Sequence, residues 1–361
     1  MEISSRVYNY SDLKKGIVCN HDDFGIFSKC TPSMRETLLN NPNLIDDSHP
    51  FMYLSTVDDV AGGIAMWFPT KLKAGNDIGN AEAGTTLEVY EEYRKLAIGA
   101  DITVYPITSG SFNFLIYAGI SEMALKLYKK LKFQIFEYPR AMRLLNSRPI
   151  IESIGLHGLL LKLSSFIINI GLKIYNTVID LFCPSYKSFR IEKLTSVPQW
   201  VDDIVLNDGH KYMEVHDYRW LQWNLDYNFY HKKGDLQSFY AVKQGDKPVA
   251  FFMTKERFRA LAGGKLKNII TGSIMEWGIS KESSLTEADL YTMAIKTFSK
   301  SVDIIEFATD DINTLRIMKR RGFLPHGYAH IAIKDLKKKY KDSEDMNLWR
   351  IRFGYTDVFL T

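Results

Sequence analysis

The sequence predicts an α/β fold in two domains, and three observations indicate this class and organisation. Short stretches that alternate apolar and polar residues are typical of strands, whereas apolar residues three or four positions apart are typical of helices. The order of these elements in the first half of the chain recurs in the second half. The 361 residues, 46% of them hydrophobic, exceed one average domain, so we expect two.

In the first half, short strands are separated by turn signals and by a few helices. The predicted strands lie at 5–10, 51–57, 64–68, 85–90, 112–118 and 133–136. The predicted helices lie at 32–40 and 121–131, with another after Ser11 or Asp12 as the cap. Gly62-Gly63 indicates a turn, and the Gly/Asn-rich stretch 75–84 indicates a long connection.

The composition changes at 150–183, where the only charged residues after Ser153 are Lys162, Lys173 and Asp180. These charges interrupt the run of about 20 apolar residues that a membrane span needs. We therefore expect one or two helices buried between two domains. Peripheral contact of this segment with a membrane is the alternative that the sequence leaves open.

The second half repeats the first in its order of elements. The predicted strands lie at 189–194, 239–242, 249–254, 269–277 and 303–307. The predicted helices lie at 198–206, 217–226, 285–298 and 313–321. The sequence thus divides into a first domain at 1–148, an apolar helical connector at 149–185 and a second domain at 186–361.

Composition also bounds the partners and the compartment. The net charge of +4 is too mild to predict a nucleic-acid partner. Cys19, Cys30 and Cys183 are odd in number and lack paired spacing, which favours a reducing compartment over a disulfide scaffold. The first residues lack the apolar core of a signal peptide. We expect a cytoplasmic protein.

The stretch 85–107 contains the main candidate binding site, at a junction between a strand and a helix. The strand period ends at residue 90, and apolar residues recur at helical spacing from Ile98 to Pro106. The start of a helix offers unpaired backbone N–H groups and the positive end of the helix dipole to an anion. Positive charge and room for close approach would come from Arg94, Lys95 and Gly99.

Two stretches resemble the GNAT acyltransferases, and the resemblance implies two tandem folds, each a mixed and mostly antiparallel sheet flanked by helices. Arg94-Lys95-Leu96-Ala97-Ile98-Gly99 is similar to the family's Gln/Arg-x-x-Gly-x-Gly/Ala loop, with Ala97 in place of the first glycine. In that family the loop grips the pyrophosphate of acyl-coenzyme A after the fourth strand. The resemblance implies that the coenzyme contacts Val89, Tyr90, Arg94, Lys95, Leu96, Ala97, Ile98 and Gly99.

The second stretch, 121–133, resembles the family's Asn-x-x-Ala-x-x-x-Tyr-x-x-x-Gly-Phe helix. Ala124, Tyr128 and Phe133 keep the family's spacing, whereas Ser121 replaces the asparagine and Lys132 the glycine. The resemblance implies that Tyr128 lies near the coenzyme sulfur and protonates the departing thiolate. The alternative for this residue is a tyrosine that packs a helix against the sheet.

The second half resembles a degenerate copy of the same fold. Gly322-Phe323 matches the end of the family's last helix, but Met318 occupies the place of the tyrosine, and a thioether is no acid. The stretch 280–285, in the place of the pyrophosphate loop, contains no glycine. We therefore assign the coenzyme to the first half, with a structural or acceptor-binding role for the second.

Other candidate groups are less specific. Glu88 or Glu82 is the candidate to take the amine proton through water, although a surface carboxylate is the simpler interpretation of each. His21-Asp22-Asp23 lacks a second group at metal-ligand spacing, so no metal site is predicted. The basic run 334–341 is interpreted as a solvated helix. An aromatic group is either core or an acceptor pocket: Trp220, Trp223, Tyr227, Phe229 and Tyr230.

The resemblance implies an enzyme that transfers an acetyl or other acyl group from coenzyme A to an amine. A small polar acceptor, such as an amino sugar or an amino acid, fits the mild charge. Two alternatives stay open. One is an aminoacyl-tRNA-dependent peptidyltransferase of cell-wall synthesis, and the other is a degenerate pair of domains that binds a ligand or partner without turnover.

Overall fold

The computed structural model describes residues 2–16, 30–184, 186–229, 235–261 and 266–361. The chain forms two compact units, and each is built from separate segments of the sequence. Unit 1 comprises Met1–Glu137, Gly209–His231 and His330–Thr361. Unit 2 comprises Tyr138–Asp208 and Lys232–Ala329. The predicted ranges 1–148, 149–185 and 186–361 follow the order of elements along the chain, whereas the compact units interleave.

Within the described residues the secondary structure is as follows. The strands are β1 Ile3–Asn9, β2 Pro50–Val57, β3 Val60–Ala74, β4 Asp77–Val89, β5 Phe114–Ala118, β6 Gln134–Leu144, β7 Phe189–Leu194, β8 Tyr212–Glu214, β9 Leu236–Gln244, β10 Lys247–Leu261, β11 Lys267–Ile279, β12 Ile304–Ala308 and β13 Leu324–Asp335. The α-helices are α1 Tyr10–Lys14, α2 Pro32–Leu39, α3 Ile98–Thr108, α4 Glu122–Lys130, α5 Arg148–Ser153, α6 Gly158–Leu181, α7 Val201–Leu206, α8 Tyr218–Asp226, α9 Glu287–Ile295 and α10 Ile312–Arg320. Short 3₁₀ turns lie at Glu91–Leu96, Met346–Leu348 and Thr356–Val358.

The strands of unit 1 follow the order β1-β2-β3-β4-β5-β13, with β8 paired to β3. Neighbouring strands are antiparallel except β4 and β5, which are parallel. The β4–β5 pairing joins only Glu82, Ala83 and Gly84 to Leu115, Ile116 and Tyr117. Unit 1 therefore has the mixed, mostly antiparallel sheet that the sequence predicts.

A β-bulge in β4 separates the last part of that strand from β5. Ala65 of β3 lies opposite Leu87, whereas Trp67 lies opposite Gly84, so β4 has one residue more than β3 in this interval. Bulges bend a strand and interrupt its pairing. Beyond Gly84, the described part of β4 pairs with β3 alone. The strands thus diverge, and we call the opening between them the fork.

The predicted turn at Gly62-Gly63 is wrong, because this pair lies inside β3. The turn falls at Asp58 and Asp59, whose φ angles are +47° and +63°. A Cβ atom on Gly63 would lie 2.5 Å from Cγ2 of Ile98, at the start of α3. The glycines therefore allow α3 to pack closely on β3, which is a role that turn propensity does not reveal.

The predicted long connection at 75–84 is also wrong. A tight turn at Gly75, where φ is +65°, joins β3 directly to β4. Ala81 and Ala83 are buried and pair across to β3. Small residues such as glycine and alanine are depleted in strands, so their presence in a sequence favours the prediction of a loop. Here they lie in a buried strand instead.

Unit 2 repeats the arrangement with the strand order β6-β12-β11-β10-β9-β7. Its one described parallel pair, β11 with β12, again joins only three residues of each strand. A register shift also interrupts the β10–β11 pairing, at Met253 and Thr254. The order β10-β11-α9-β12-α10 matches β3-β4-α3-β5-α4.

Each half of the sequence contributes one strand to the sheet built by the other half. β13, which follows α10, pairs with β5 in unit 1. β6, which follows α4, pairs with β12 in unit 2. Each parallel pair is therefore completed by a strand from the other half of the sequence.

The expectation that the apolar segment is buried is wrong for α6. Only 11% of its most apolar window is buried, and Leu159, for example, is 80% exposed. In the described part of the chain, α6 is long and apolar enough to cross a membrane, as judged by length and composition alone. The segment also includes the short helix α5.

Two further expectations change, and one open alternative is decided. The helix predicted at 285–298 is shorter, because Thr286 caps α9 and the helix ends at Ile295. The run 334–341 is not a helix, since β13 continues to Asp335 and a turn follows it. The aromatic group packs in the core of unit 1, where Trp220 and Trp223 are buried on α8; Tyr230 lies outside the described residues.

Candidate active site

The predicted strand–loop–helix junction is present in unit 1. After β4 the chain makes the 3₁₀ turn Glu91–Leu96, passes through Ala97 and enters α3 at Ile98. Ala97 has a left-handed backbone with φ of +59°, a conformation that glycine adopts at no steric cost. Glycine, which stands at this position in the pattern that the sequence resembles, would adopt this backbone without strain.

The amino end of α3 is open to a ligand. Among the described residues, no side chain caps this end of the helix. The N–H groups of Ala100 and Asp101 donate to the carbonyl oxygen of Ala97, at 2.9 and 3.1 Å. The N–H groups of Ile98 and Gly99 precede the first helical hydrogen bonds, so they are available to an anion together with the helix dipole.

A groove of about 610 Å³ lies at this helix start. Its lining comes from the end of β4, the start of α3 and the amino-terminal half of α4. The lining residues are Leu87, Glu88, Val89, Arg94, Ala97, Gly99, Ala100, Ser121, Glu122, Met123, Ala124 and Leu127. The volume lies within the range of small-molecule and cofactor sites.

The groove brings together only part of the residues that the two sequence motifs single out. Glu88, Val89, Arg94, Ala97 and Gly99 line it, as do Ser121 and Ala124. Tyr90, Lys95, Leu96 and Ile98 are not in the lining, and Ile98 is buried in the core. For these four residues and for those in the lining alike, the assignment to the coenzyme stays a prediction.

Positive charge at the groove comes from Arg94, with Lys95 next to it in the chain. Both side chains are exposed, and Nε of Arg94 donates to the carbonyl oxygen of Val89 at 3.3 Å. Glu88 and Glu122 also line the groove, so its charge is mixed. A phosphate group would be held by Arg94 and the helix start against these carboxylates.

Tyr128 lies in the core beneath the groove. It is 2% exposed, and its ring centroid lies 4.7 Å from that of Tyr117 and 4.9 Å from that of Phe133. Burial raises the pKa of Tyr128 well above its usual value, so the phenol keeps its proton at neutral pH. The packing role is therefore shown by these contacts, whereas the role as proton donor stays a prediction.

The two candidate bases differ in position. Glu82 is buried in β4, where its Oε1 lies 3.1 Å from Nε2 of His49. Burial raises the pKa of Glu82, and His49 opposes that shift. Glu82 is not in the groove lining, whereas Glu88 is.

Asp357 is a buried acid that sequence reasoning missed. Its Oδ2 accepts a hydrogen bond from Oγ1 of Thr85 at 2.6 Å. Thr85 directly follows Gly84, the last residue of β4 that pairs with β5, so this hydrogen bond lies at the fork. Burial raises its pKa to about 7, and its charge in turn raises the pKa of Tyr128. No local motif marks this residue, because Thr85 is 272 positions away in the chain.

The corresponding helix start in unit 2 is closed by its own side chains. Thr286 and Asp289 form a capping box: the Asp289 N–H donates to Oγ1 of Thr286 at 3.3 Å, and the Thr286 N–H donates to Oδ2 of Asp289 at 2.9 Å. Glu287 adds a second acid to the first turn. A phosphate would meet N–H groups there that already donate to these side chains, together with the negative charge of the acids.

Metal ligands do not gather in the described part of the chain, where no group of three or more histidine, cysteine, aspartate or glutamate side chains has a geometry that could hold a metal ion. His21-Asp22-Asp23 and Cys19 lie outside the described residues.

Comparison with solved structures identifies the fold. N-myristoyltransferase from Saccharomyces cerevisiae, with bound myristoyl-CoA, is 12% identical over 92% of this chain and 82% of its own, with a TM-score of 0.57. A GCN5-related N-acetyltransferase from Anabaena variabilis is 10% identical over 93% and 73%, with a TM-score of 0.52. A putative acetyltransferase from Pyrococcus horikoshii is 14% identical over 99% and 96%, with a TM-score of 0.50.

No protein-family model matches the sequence, and no curated protein is significantly similar to it. The structural likeness therefore carries the comparison. The chain has the GNAT fold, with a mixed and mostly antiparallel sheet flanked by helices.

Proposed function

We propose that this protein is an acyltransferase that moves an acyl group from coenzyme A to an amine, with unit 1 holding the coenzyme. The observation that carries the proposal is the uncapped start of α3 at the edge of the groove. The GNAT fold supports it, since the solved structures with this fold include acetyltransferases and a myristoyltransferase with its acyl-coenzyme A bound.

The coenzyme would lie along the groove with its pyrophosphate at the start of α3. The N–H groups of Ile98 and Gly99 would donate to the phosphate oxygens, and Arg94 would add a charge-assisted hydrogen bond. The pantetheine arm would continue into the fork, where backbone groups of β4 beyond Gly84 are not engaged by β5. The thioester would then lie near Thr85.

The fork supplies two groups suited to proton transfer. Asp357, with a pKa of about 7, is a base that works at neutral pH, and it would accept the proton of the attacking amine directly or through a water molecule. Tyr128 keeps its proton and would donate it to the departing thiolate. Acyl transfer then needs no covalent enzyme intermediate. Glu88 at the groove is the second candidate for the base.

A small polar amine, such as an amino sugar or an amino acid, is the acceptor that we propose, in a cytoplasmic setting. The proposed acyl group is acetyl or a longer chain, because the solved structures with this fold include an N-acetyltransferase and an N-myristoyltransferase with bound myristoyl-CoA. A panel of acyl-coenzymes A from two to fourteen carbons, assayed by thiol release with a mixture of amines, would identify the pair.

The experiment that tests the proposal is calorimetric titration with acetyl-coenzyme A, followed by turnover. We expect binding that Arg94→Ala weakens several-fold, and turnover that Tyr128→Phe lowers more than it lowers affinity. No binding at millimolar ligand would remove the acyltransferase proposal. Binding without turnover of any amine would favour a non-catalytic protein, for which Ala97, Ser121 and Lys132 are the departures from the family pattern.

A further inference from the structure

The exposed side of α6 is an apolar surface that the proposed function does not use. Large apolar side chains between 46% and 80% exposed recur at intervals of three, four or seven residues along it. Six of them form one stripe along the helix, which we call the apolar face: Leu159, Leu163, Phe166, Ile170, Ile174 and Leu181. The helix has 24 residues, so the face is about 36 Å long. Proteins rarely leave a contiguous apolar surface of this size exposed without a partner.

The opposite side of α6 is fixed to unit 2 along its length. Oδ1 of Asn169 accepts hydrogen bonds from the N–H and the hydroxyl of Ser147, both at 2.8 Å. Two helical turns further on, Nδ2 of Asn176 donates to the carbonyl oxygen of Leu144 at 3.1 Å. Leu161 and Ser165 continue this side and are buried.

The carboxyl-terminal end of α6 is held by a buried arginine. Arg143 of β6 donates to Oδ1 of Asn176 at 3.0 Å and to Oδ1 of Asp180 at 2.9 Å. A helix with polar bonds to its own unit along one side cannot leave that unit to cross a bilayer without breaking them. It presents only its other side, as an interfacial helix does.

The charges of α6 fit an anionic partner. Lys162 and Lys173 are exposed and lie eleven residues apart, which is about three turns, so they share one border of the apolar face. Asp180 is neutralised by its ion pair with Arg143. Within α6 the apolar face is therefore bordered by positive charge alone. Lysine stems lie along apolar surface while their ammonium groups reach outward.

We propose that the apolar face of α6 docks on the surface of a membrane that contains anionic lipid. The apolar side chains enter the boundary between headgroups and acyl chains, and Lys162 and Lys173 contact the lipid phosphates. A helix side about 36 Å long, on a helix whose opposite side is held to its own unit, presents the kind of surface that lies in the plane of a membrane boundary. The inference stands independently of the acyl-transfer proposal, since it uses no residue of the groove.

Co-sedimentation of the full chain with vesicles tests the proposal. We expect binding to vesicles of phosphatidylcholine with 30% phosphatidylserine, and weaker binding to phosphatidylcholine alone. The double variant Ile170→Glu/Ile174→Glu should lower the partition coefficient at least about tenfold, because it places charge in the apolar boundary. Lys162→Glu/Lys173→Glu should lose the preference for anionic vesicles.

The matched control is Ile78→Glu, which changes an isoleucine of β4 that is 50% exposed, and it should bind vesicles as the parent chain does. Equal unfolding temperatures would show that each variant folds. Three results would overturn the proposal: no binding to either vesicle, a double variant that binds as well as the parent, or bound protein that resists alkaline carbonate extraction as a spanning segment does. Self-association that Ile170→Glu abolishes, without vesicle binding, would assign the face to a second copy instead.

Discussion

At the residue scale, Gly99 distinguishes what a ligand needs from what the fold needs. Its φ is not in the left-handed region, and an added Cβ would meet only Cγ2 of Val89 at an ordinary 3.5 Å. The fold therefore tolerates a side chain here, whereas a pyrophosphate against the backbone does not. We expect Gly99→Ala to weaken coenzyme A binding about tenfold in calorimetry while the unfolding temperature stays equal or rises slightly.

The matched control for this prediction is Gly209→Ala, since a Cβ there meets nothing within 4 Å and the residue is not in the groove lining. It should leave both the affinity and the stability unchanged. A Gly99→Ala chain that binds coenzyme A as tightly as the parent would show that the ligand does not approach α3 at this point.

Asp357 makes both activity and stability depend on pH. Burial raises its pKa from 3.8 to about 7, so the folded state favours the protonated carboxyl. The stability that this proton contributes is complete below about pH 4 and is lost as the pH rises through about 7. Activity has the opposite trend if the ionised form is the base, and rises through about pH 7.

Asp357→Asn tests both effects. We expect the variant to lose most of its turnover, and the difference in unfolding temperature between variant and parent to grow in favour of the variant from pH 4 to pH 8. Thermal unfolding and rate measurements across that range check this. A variant with the parent's pH–rate profile would return the role of base to Glu88.

Residues of this kind also show where sequence reasoning ends. Arg94, Ala97 and Gly99 could be predicted because they follow one another along the chain and match a local pattern. Asp357 could not, because only the folded sheet brings it to Thr85. The aromatic group on α8 was ambiguous from its spacing, and burial of Trp220 and Trp223 decides for the core.

At the scale of elements, the starts of α3 and α9 occupy equivalent places and differ in capping. α9 satisfies its first N–H groups with Thr286 and Asp289, whereas α3 has no such side chain in the described structure. We expect Thr286→Ala to lower the free energy of unfolding by about 1 kcal/mol and to leave coenzyme binding unchanged.

The double variant Arg94→Ala/Lys95→Ala should affect coenzyme binding and leave stability unchanged, because both side chains are exposed and belong to the loop before α3. We expect weaker coenzyme binding, with a loss that shrinks at high salt, and no change in unfolding temperature. Denaturant titration with calorimetry on both variants separates the two outcomes. Coenzyme binding that depends on Thr286 would place the site in unit 2.

Most elements could be predicted from periodicity, and the errors have physical reasons. Glycines and alanines in β3 and β4 resemble loops in the sequence, yet they are strand residues, and the glycines make room for Ile98 of α3 and for Tyr117 of β5. The apolar composition of 150–183 predicts a buried segment, because apolar residues are usually buried, and α6 shows the opposite. A sequence pattern reveals which residues are apolar, but not which of them the folded chain leaves exposed.

At the scale of the whole molecule, the exchange of β6 and β13 predicts that the halves do not fold alone. Unit 1 needs β13, the segment Gly209–His231 and the 3₁₀ turn that carries Asp357. We expect a fragment of residues 1–148 to lack a cooperative thermal transition and to bind no coenzyme A, by circular dichroism and calorimetry. A stable, binding-competent fragment would show that the exchanged strand is dispensable.

The repeat of elements was visible in the sequence, because each half has the same order of strands and helices. The interleaving was not visible, because strand pairing between distant segments leaves no periodic signal. The domain ranges inferred from the sequence therefore describe the order of elements along the chain, whereas the compact units describe which segments pack together.

The central claim is that coenzyme A binds at the groove of unit 1, and hydrogen–deuterium exchange with and without the ligand tests it most directly. The account predicts slower exchange in peptides that cover Leu87–Ala100 and Ser121–Leu127, with no change at Ser280–Ala294. Ligand-dependent protection confined to the 280–294 peptides, or binding that protects neither region, would contradict it.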